Sequence, residues 1–329
     1  MDLIYTNANR IDQGVLSAYA LDLSFGEDAA ENNFEITLGK SEPALAYGAI
    51  IYFEGTEYGG MVDFARVATD EKTITYGGRT WHGLMNSKII EPDSGADYLV
   101  VSGDANVVLA TLVNRLGLSA LFTVSDQESG ITISSYQFER YIKGYDGIRK
   151  MLAANGAKLH MRWDDRKLKL SAVPVVNYTD APIDGDIAVL DIEQYGKKVN
   201  HLICLGSGDL KDRQVLHLYV DQFGRIGETQ YYTGIDEITE TYDYSSVETL
   251  EELKTEGIKN FGELRSVDAI EMSIIEDTDL SFDIGDIVGA VDAEKTGLSV
   301  SAVIAQKIIR ADKGRITVEY ETGEAYVNN

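Results

Sequence analysis

Apolar and polar positions alternate with a period of two along much of the chain, which predicts strands with one buried face. In "AYALDLSF" (Ala18–Phe25) the alternation puts Leu21 and Leu23 on one side, and in "NNFEITLG" it does the same for Phe34, Ile36 and Leu38. "AIIYFEGTEYGGMVDFARV" reads as a hairpin whose turn glycines lie in "EGTEYGG". "KTITYGGRTWHGLMNSKII" continues the β pattern, with Gly77 and Gly78 marking a bulge or bend. Residues 1–98 are expected to be all β.

Within "EPDSGADYLVVSGDANVVLATLVNRLGL" the period lengthens to that of a helix. Asp104 is the expected N-cap, Val108, Leu109, Leu112, Val113 and Leu116 make the apolar stripe, and Gly117 ends it. A second helix is predicted from Asp146, with Ile148, Met151 and Leu152 inward and Gly156 at its end. The hairpin "AKLHMRW", "DDR", "KLKLSAV" follows. Residues 99–178 thus read as a small α+β domain, and "PVVNYTDAPIDGD" as a linker.

Strands resume with "KVNHLICLG" and "RQVLHLYVD". Beyond the acidic "DEITETYDYSS", Ser245 and Glu248 stand at capping-box spacing before a further helix. Its expected stripe is Leu250, Leu253, Phe261 and Leu264, with Gly257 counting against helix formation. The remaining segments, "SVDAIEMSII", "DIVGAVD", "LSVSAVIAQKIIRAD" and "GRITVEYETG", are β, and Asp312-Lys313-Gly314 turns the last pair. The fold class expected is β-rich α+β.

A length of 329 residues suits two or three domains, and a 44% hydrophobic content suffices for a real core. The net charge of −25 argues against specific nucleic-acid binding, which needs Lys and Arg against phosphates. No apolar run approaches the roughly 18–20 residues of a membrane span. "MDLIYTNANR" lacks the pattern of a signal peptide, so neither a membrane span nor secretion by that route is expected. Cys204, alone in the apolar "VNHLICLGSG", reads as core packing, and the sequon at Asn177 as chance.

Candidate chemistry is thin. None of His82, His160, His201 and His217 has the helical spacing of a zinc hydrolase. His201 and His217 fall on neighbouring predicted strands, where they could meet, although packing or solvation is the commoner fate of such a pair. His160 with Asp164 and Asp165 reads as a strand entering an acidic turn. "GSGDLKDR" (Gly206–Arg213) lacks the Lys-Ser/Thr ending and the following helix of a phosphate loop. A G-x-S-x-G nucleophile elbow is absent. A glycosidase-type carboxylate pair, about 5–10 Å apart, is open on numbers alone. Its aromatic platforms would have to come from Trp81 or Trp163.

"DLSFDIGDIVGA" sets Asp279, Asp283 and Asp286 around Gly285. The spacing does not supply an EF-hand, and Asp283 is followed by Ile284 rather than by the Thr/Ser-Gly of an aspartic protease. A turn fits: Gly285 tolerates positive φ, Asp283 can bond the backbone two residues on, and Ile287 and Val288 open a buried strand.

This Gly-Asp step, followed by "GLSVSAVIAQKII" and "ITVEYETGE", resembles the closing β-barrel of phage tail hubs. "YALDLSFG", "NNFEITLG", "IIYFEGTEYGGMVD", "YGGRTWHGLMNSKIIEPDSGADYLVVSGDANVVLATLVNRLGL" and "VNHLICLGSGDLKDRQVLHLYVD" are similar to the same siphophage and prophage tail-hub family of Gram-positive hosts. That family includes baseplate hubs and the N-terminal hub region of tail-associated lysins, and the resemblance spans essentially the whole chain. It implies two related tail-hub β-barrels that close as a homotrimeric ring of six pseudo-equivalent barrels, matching a sixfold tube. The barrels would be residues 1–98, and 179–238 with 267–329, with the α+β domain 99–178 and an acidic helical insertion 239–266 as additions.

The partners implied are a distal tail protein or tail tube protein, the tape measure protein and a tip or receptor-binding protein. The implied location is the virion tail tip, with the host cytoplasm before assembly. A carboxylate-lined channel would let DNA pass without binding. No catalytic, cofactor or metal residue is carried over from the family. The sequence stops at "GEAYVNN", so wall-cutting or receptor-binding extensions found in relatives are expected on another protein. The rival expectation is a carbohydrate-active tail protein, a glycosidase or glycan-binding module. A tail-like bacteriocin particle would use the same hub.

Overall fold

The computed structural model describes residues 1–27, 32–68, 72–179, 188–193, 199–222, 225–247, 249–266, 269–274, 281–291, 299–312 and 315–328. Asp279, Glu248, Lys313, Gly314 and positions 180–186 of the expected linker lie outside the described residues. Two compact units emerge, one of residues 1–190 with 271–329 and one of residues 191–270. These divisions fall at other places than the four ranges expected from the sequence.

The first unit is built on a long antiparallel sheet. Tyr19–Gly26 pairs with Asn33–Gly39, which pairs with Thr73–Thr80, and the sheet continues through Gly59–Val67, Ile50–Phe53 and Leu3–Thr6 to Asp12–Leu16. On its other side Tyr19–Gly26 pairs with Ser299–Asp312, Leu23 lying opposite Ile309. That strand in turn pairs with Arg315–Asn328 and with Ile287–Val291. Strands from the end of the chain thereby extend the sheet begun at its start. The alternation read from the sequence holds here: Leu21, Leu23, Phe34, Ile36 and Leu38 share one core with Ile309 and Ala311. Among the described residues the ladders run in open order, and none closes into a ring.

The expected bulge sits on the strand facing Gly77 and Gly78, where the register shifts between Val62 and Phe64. A Cβ on Gly78 would lie 1.9 Å from the Met61 carbonyl oxygen, and one on Gly77 would enter the Phe64 ring. The extra residue, Asp63, is turned so that its carboxylate accepts from the Arg79 backbone N–H at 3.0 Å and from Nε at 2.7 Å.

The strand expected to run on past Thr80 instead becomes a short helix, α1 (Trp81–Asn86). Thr80 caps it by accepting from the Gly83 N–H at 3.3 Å, and all six of its residues are buried. Burial on every side erased the one-sided pattern that a surface helix shows. α2 (Ala105–Arg115) has Asp104 as its N-cap, accepting from the Asn106 N–H at 2.9 Å, and Gly117 follows it at φ 69°. α3 (Gly144–Ala153) starts two residues before Asp146 and buries Ile148, Met151 and Leu152. Its hairpin, Ala157–Asp164 with Lys167–Pro174, turns through Asp165 and Arg166, both at positive φ. Trp163 stacks on Trp81 at 5.2 Å and on Tyr52 at 4.4 Å inside the core shared by these helices.

The second unit holds a four-stranded sheet in the order Ile226–Gly227, Val215–Val220, His201–Leu205, Thr239–Asp243, the last pair being parallel. α4 (Leu250–Ser266) packs on Leu202, Cys204, Leu216 and Leu218 through Leu253 and Phe261. Leu250 and Leu264, expected in the stripe, are 50% and 37% exposed. Gly257 is the reason the helix can sit so close. It lies between Leu253 and Phe261 on the buried face, and a Cβ there would come within 2.6 Å of Cys204 Sγ. The helix start is held by Thr249, whose hydroxyl accepts from the Glu252 N–H at 3.2 Å.

Candidate functional site

The Gly-Asp segment forms a tight turn at the edge of the main sheet. The Asp286 N–H donates to the Asp283 carbonyl at 3.0 Å, and Gly285 occupies the third turn position at φ 95°, where glycine is favoured. Hydrogen bonds from Gly285 N–H to the Ile304 carbonyl and from Ile304 N–H to the Asp286 carbonyl, both 2.8 Å, fasten the turn to the Ser299–Asp312 strand. Val288 then enters the core, as the sequence implied.

The side chains of the turn do more than shape the backbone. Asp286 is 1% exposed, and both its oxygens lie 2.7 Å from Lys158 Nζ, which comes from the Ala157–Asp164 strand. It also accepts from the Val176 N–H and the Asp283 N–H, each at 2.9 Å. Asp283, read from sequence as a backbone-capping residue, instead places its carboxylate 3.0 Å from Lys158 Nζ and 3.2 Å from Lys307 Nζ. Lys307, 2% exposed, also donates to Glu57 at 2.6 Å. His160 Nδ1 stands 3.6 Å from Asp283. His82 Nε2 stands 3.9 Å from Glu57, its ring stacked on Phe25 at 4.2 Å.

Electrostatics follow from this enclosure. Burial acts to raise the Asp283 carboxyl, but His160, Lys307 and Lys158 outweigh it and hold the group well below the usual carboxylate range. Burial works against the Lys307 ammonium, yet Glu57 and Asp283 push its pKa upward. The facing Asp283 carboxylate raises His160 against the opposing effect of burial. Burial, then the Lys307 charge, presses His82 well below the ordinary imidazole value. Three carboxylates and two ammonium groups leave one formal negative charge, which a protonated His160 offsets.

This constellation suits holding rather than catalysis. Its carboxylates are engaged with ammonium groups and backbone donors, so they serve as charge partners and caps. Among the described residues no group of three or more His, Cys, Asp or Glu is placed to hold a metal ion. Trp81 and Trp163, 0% and 3% exposed, are core residues and present no platform to a glycan. "GSGDLKDR" forms a loop with a single 3-10 turn at Leu210–Asp212. Lys158, Lys307 and Glu57 were missed from sequence. Lys307 carried a signal, since it shares strand parity with the inward Ile309 and Ala311; Lys158 carried none.

His201 and His217, the pair that could meet, do meet. His201 Nε2 and His217 Nδ1 are 2.8 Å apart, and His201 Nδ1 lies 2.6 Å from Glu237.

No protein-family model and no curated protein matches the chain. Among solved structures it is similar to the 43 kDa tail protein of prophage MuSo2 from Shewanella oneidensis, with 14% identity over 98% of both chains and a TM-score of 0.54. It is also similar to the prophage tail protein gp18 from Listeria monocytogenes EGD-e, with 12% identity over 98% of this chain and 95% of that one, and a TM-score of 0.51. At such identities the likeness is one of fold: the chain has a fold found in prophage tail proteins. No helix among the described residues is long and apolar enough to cross a membrane.

Proposed function

We propose that the chain is a non-enzymatic structural component of a phage, prophage or tail-like particle, forming the homotrimeric hub at the distal tail tip. The observation that carries this reading is the extent of the fold match, which takes in 98% of this chain and 98% of a prophage tail protein. In this reading residues 1–98 form one hub barrel lobe and residues 179–238 with 267–329 the other, with 99–178 and 239–266 as additions. Pairing of Ser299–Asp312 with Tyr19–Gly26 is the seam that ties the chain end to the first lobe.

The ring closes head to tail after three copies. It joins the tail tube or distal tail protein to the tape measure and to a tip or receptor-binding protein. It also gates the channel for DNA release. A net charge of −25 supports passage of DNA without capture. The buried charge network supports a mechanical role, because it fixes the Gly-Asp turn against the α+β region. Immunogold electron microscopy of tail particles from an induced culture tests the proposal. Label confined to the distal tip is expected; intact particles that stay unlabelled, with an antibody that binds the native chain, would overturn it.

A further inference from the structure

We propose that His201 and His217 form a two-nitrogen site for a divalent transition ion that favours tetragonal coordination, Ni2+ or Cu2+. The inference is independent of the tail reading and rests on the second unit alone. Adjacent strands bring the rings together: Ile203 lies opposite His217 and His201 opposite Tyr219, so both histidines occupy the sheet face away from Cys204 and α4. Tyr219 walls the site, stacked on His201 at 4.3 Å.

The tautomer of His201 is set by its neighbours. Glu237, held in turn by Gln230 at 3.0 Å, lies 2.6 Å from His201 Nδ1, which therefore carries the proton and donates it to the carboxylate. The lone pair is left on Nε2, facing His217 Nδ1 at 2.8 Å. A carboxylate bonded to the far nitrogen of an imidazole is the arrangement that orients metal-ligating histidines and raises their basicity.

Two nitrogens 2.8 Å apart, each about 2.0 Å from a common ion, subtend an angle of about 90° at it. That is the angle between adjacent ligands of a tetragonal ion, and it is tighter than tetrahedral zinc prefers. His201 is 7% exposed, whereas His217 is exposed, its ring stacked on His201 at 5.1 Å and on Tyr219 at 6.3 Å, and it turns from the line of the hydrogen bond for both nitrogens to face one ion. Binding moves the His217 proton from Nδ1 to Nε2, so the neutral pair accepts the ion without losing a proton. Two ligands come from the protein, and the other positions are filled by water.

Calorimetric titration of the untagged full-length chain with Ni2+, together with electron paramagnetic resonance of the Cu2+ form, tests the site. One equivalent is expected, with nitrogen hyperfine structure from two imidazoles and weaker binding of Zn2+ than of Cu2+. His217→Ala, which changes an exposed residue and keeps the fold, should lower affinity at least about tenfold. Glu237→Ala should lower it by about tenfold through loss of ring orientation. Wild-type affinity in His217→Ala, or a spectrum with fewer than two nitrogens, would overturn the assignment and leave the contact as a hydrogen bond.

Discussion

The two compact units treat polar groups in opposite ways. The first buries a charge network in which Asp286, Lys158 and Lys307 are nearly sealed and each charge meets a partner. The second keeps its interior apolar, with Gly257 against Cys204, and puts its polar chain, Glu237, His201 and His217, on the far side of the sheet with an exposed ring at one end. A closed network can hold parts together but has nothing left to offer a ligand. An open chain contributes less to holding and ends on a ring that solvent reaches.

The largest expected effect separates these roles. Asp286→Ala leaves the buried Lys158 ammonium with Asp283 as its one remaining carboxylate partner and takes the acceptor from the Val176 and Asp283 N–H groups; it should cost about 3–5 kcal/mol in urea unfolding. Cutting the open chain by Glu237→Ala removes the carboxylate that accepts from His201 and Gln230 and, at a half-exposed place, should cost about 1–2 kcal/mol. A comparable loss in both would break the contrast.

Gly257→Ala probes the apolar interior of the second unit. Its methyl group would meet Cys204 Sγ at 2.6 Å, and the expected loss is about 1–3 kcal/mol. Adding Cys204→Ala should restore part of it, because sulfur is the obstructing atom. Thermal melts of the single and double variants read this directly.

Replacing the Lys158–Asp286 pair together by Met and Leu should cost less than Asp286→Ala, about 1–3 kcal/mol, since the desolvation cost of the ions goes with their attraction while the Val176 and Asp283 N–H groups lose their acceptor. A loss as large as that of Asp286→Ala would mean that the ions also specify the local structure.

The smallest effects lie in pH dependence, and two histidines of the first unit should pull oppositely. His82 has a folded-state pKa below its ordinary 6.5, so below that pH the unfolded chain binds the extra proton and stability falls as pH falls. His160 has a folded-state pKa above 6.5, so its contribution is complete below 6.5 and is lost as pH rises through the folded value. His82→Gln should flatten the acid side of the stability curve and His160→Asn the side above 6.5. Unfolding curves between pH 5 and 8, roughly the range where histidine titrates, would show it.

What the sequence disclosed follows from range. Period-two alternation, the Asp104 cap and the stops at Gly117 and Gly156 are local, and they appear in the structure where the pattern put them. α1 was not legible, because its residues are buried all round and present no polar face to betray a helix. Gly257 misled for a related reason: its intrinsic cost in a helix was visible, whereas the sulfur it accommodates lies on a strand 53 positions earlier (257 − 204). The network was hidden by distance along the chain, since Lys158 and Asp286 are 128 positions apart and Lys307 and Glu57 are 250 apart. The turn at Gly285 was legible as a turn; the lysines waiting for its aspartates were not.

The central claim, a structural part of a tail tip, is tested most directly by a cryo-electron microscopy reconstruction of the distal end of tail particles. The account predicts three copies of this chain as a ring around the channel, with the Lys158–Asp286 turn inside each copy. A fully traced tip in which no density corresponds to this chain would contradict it.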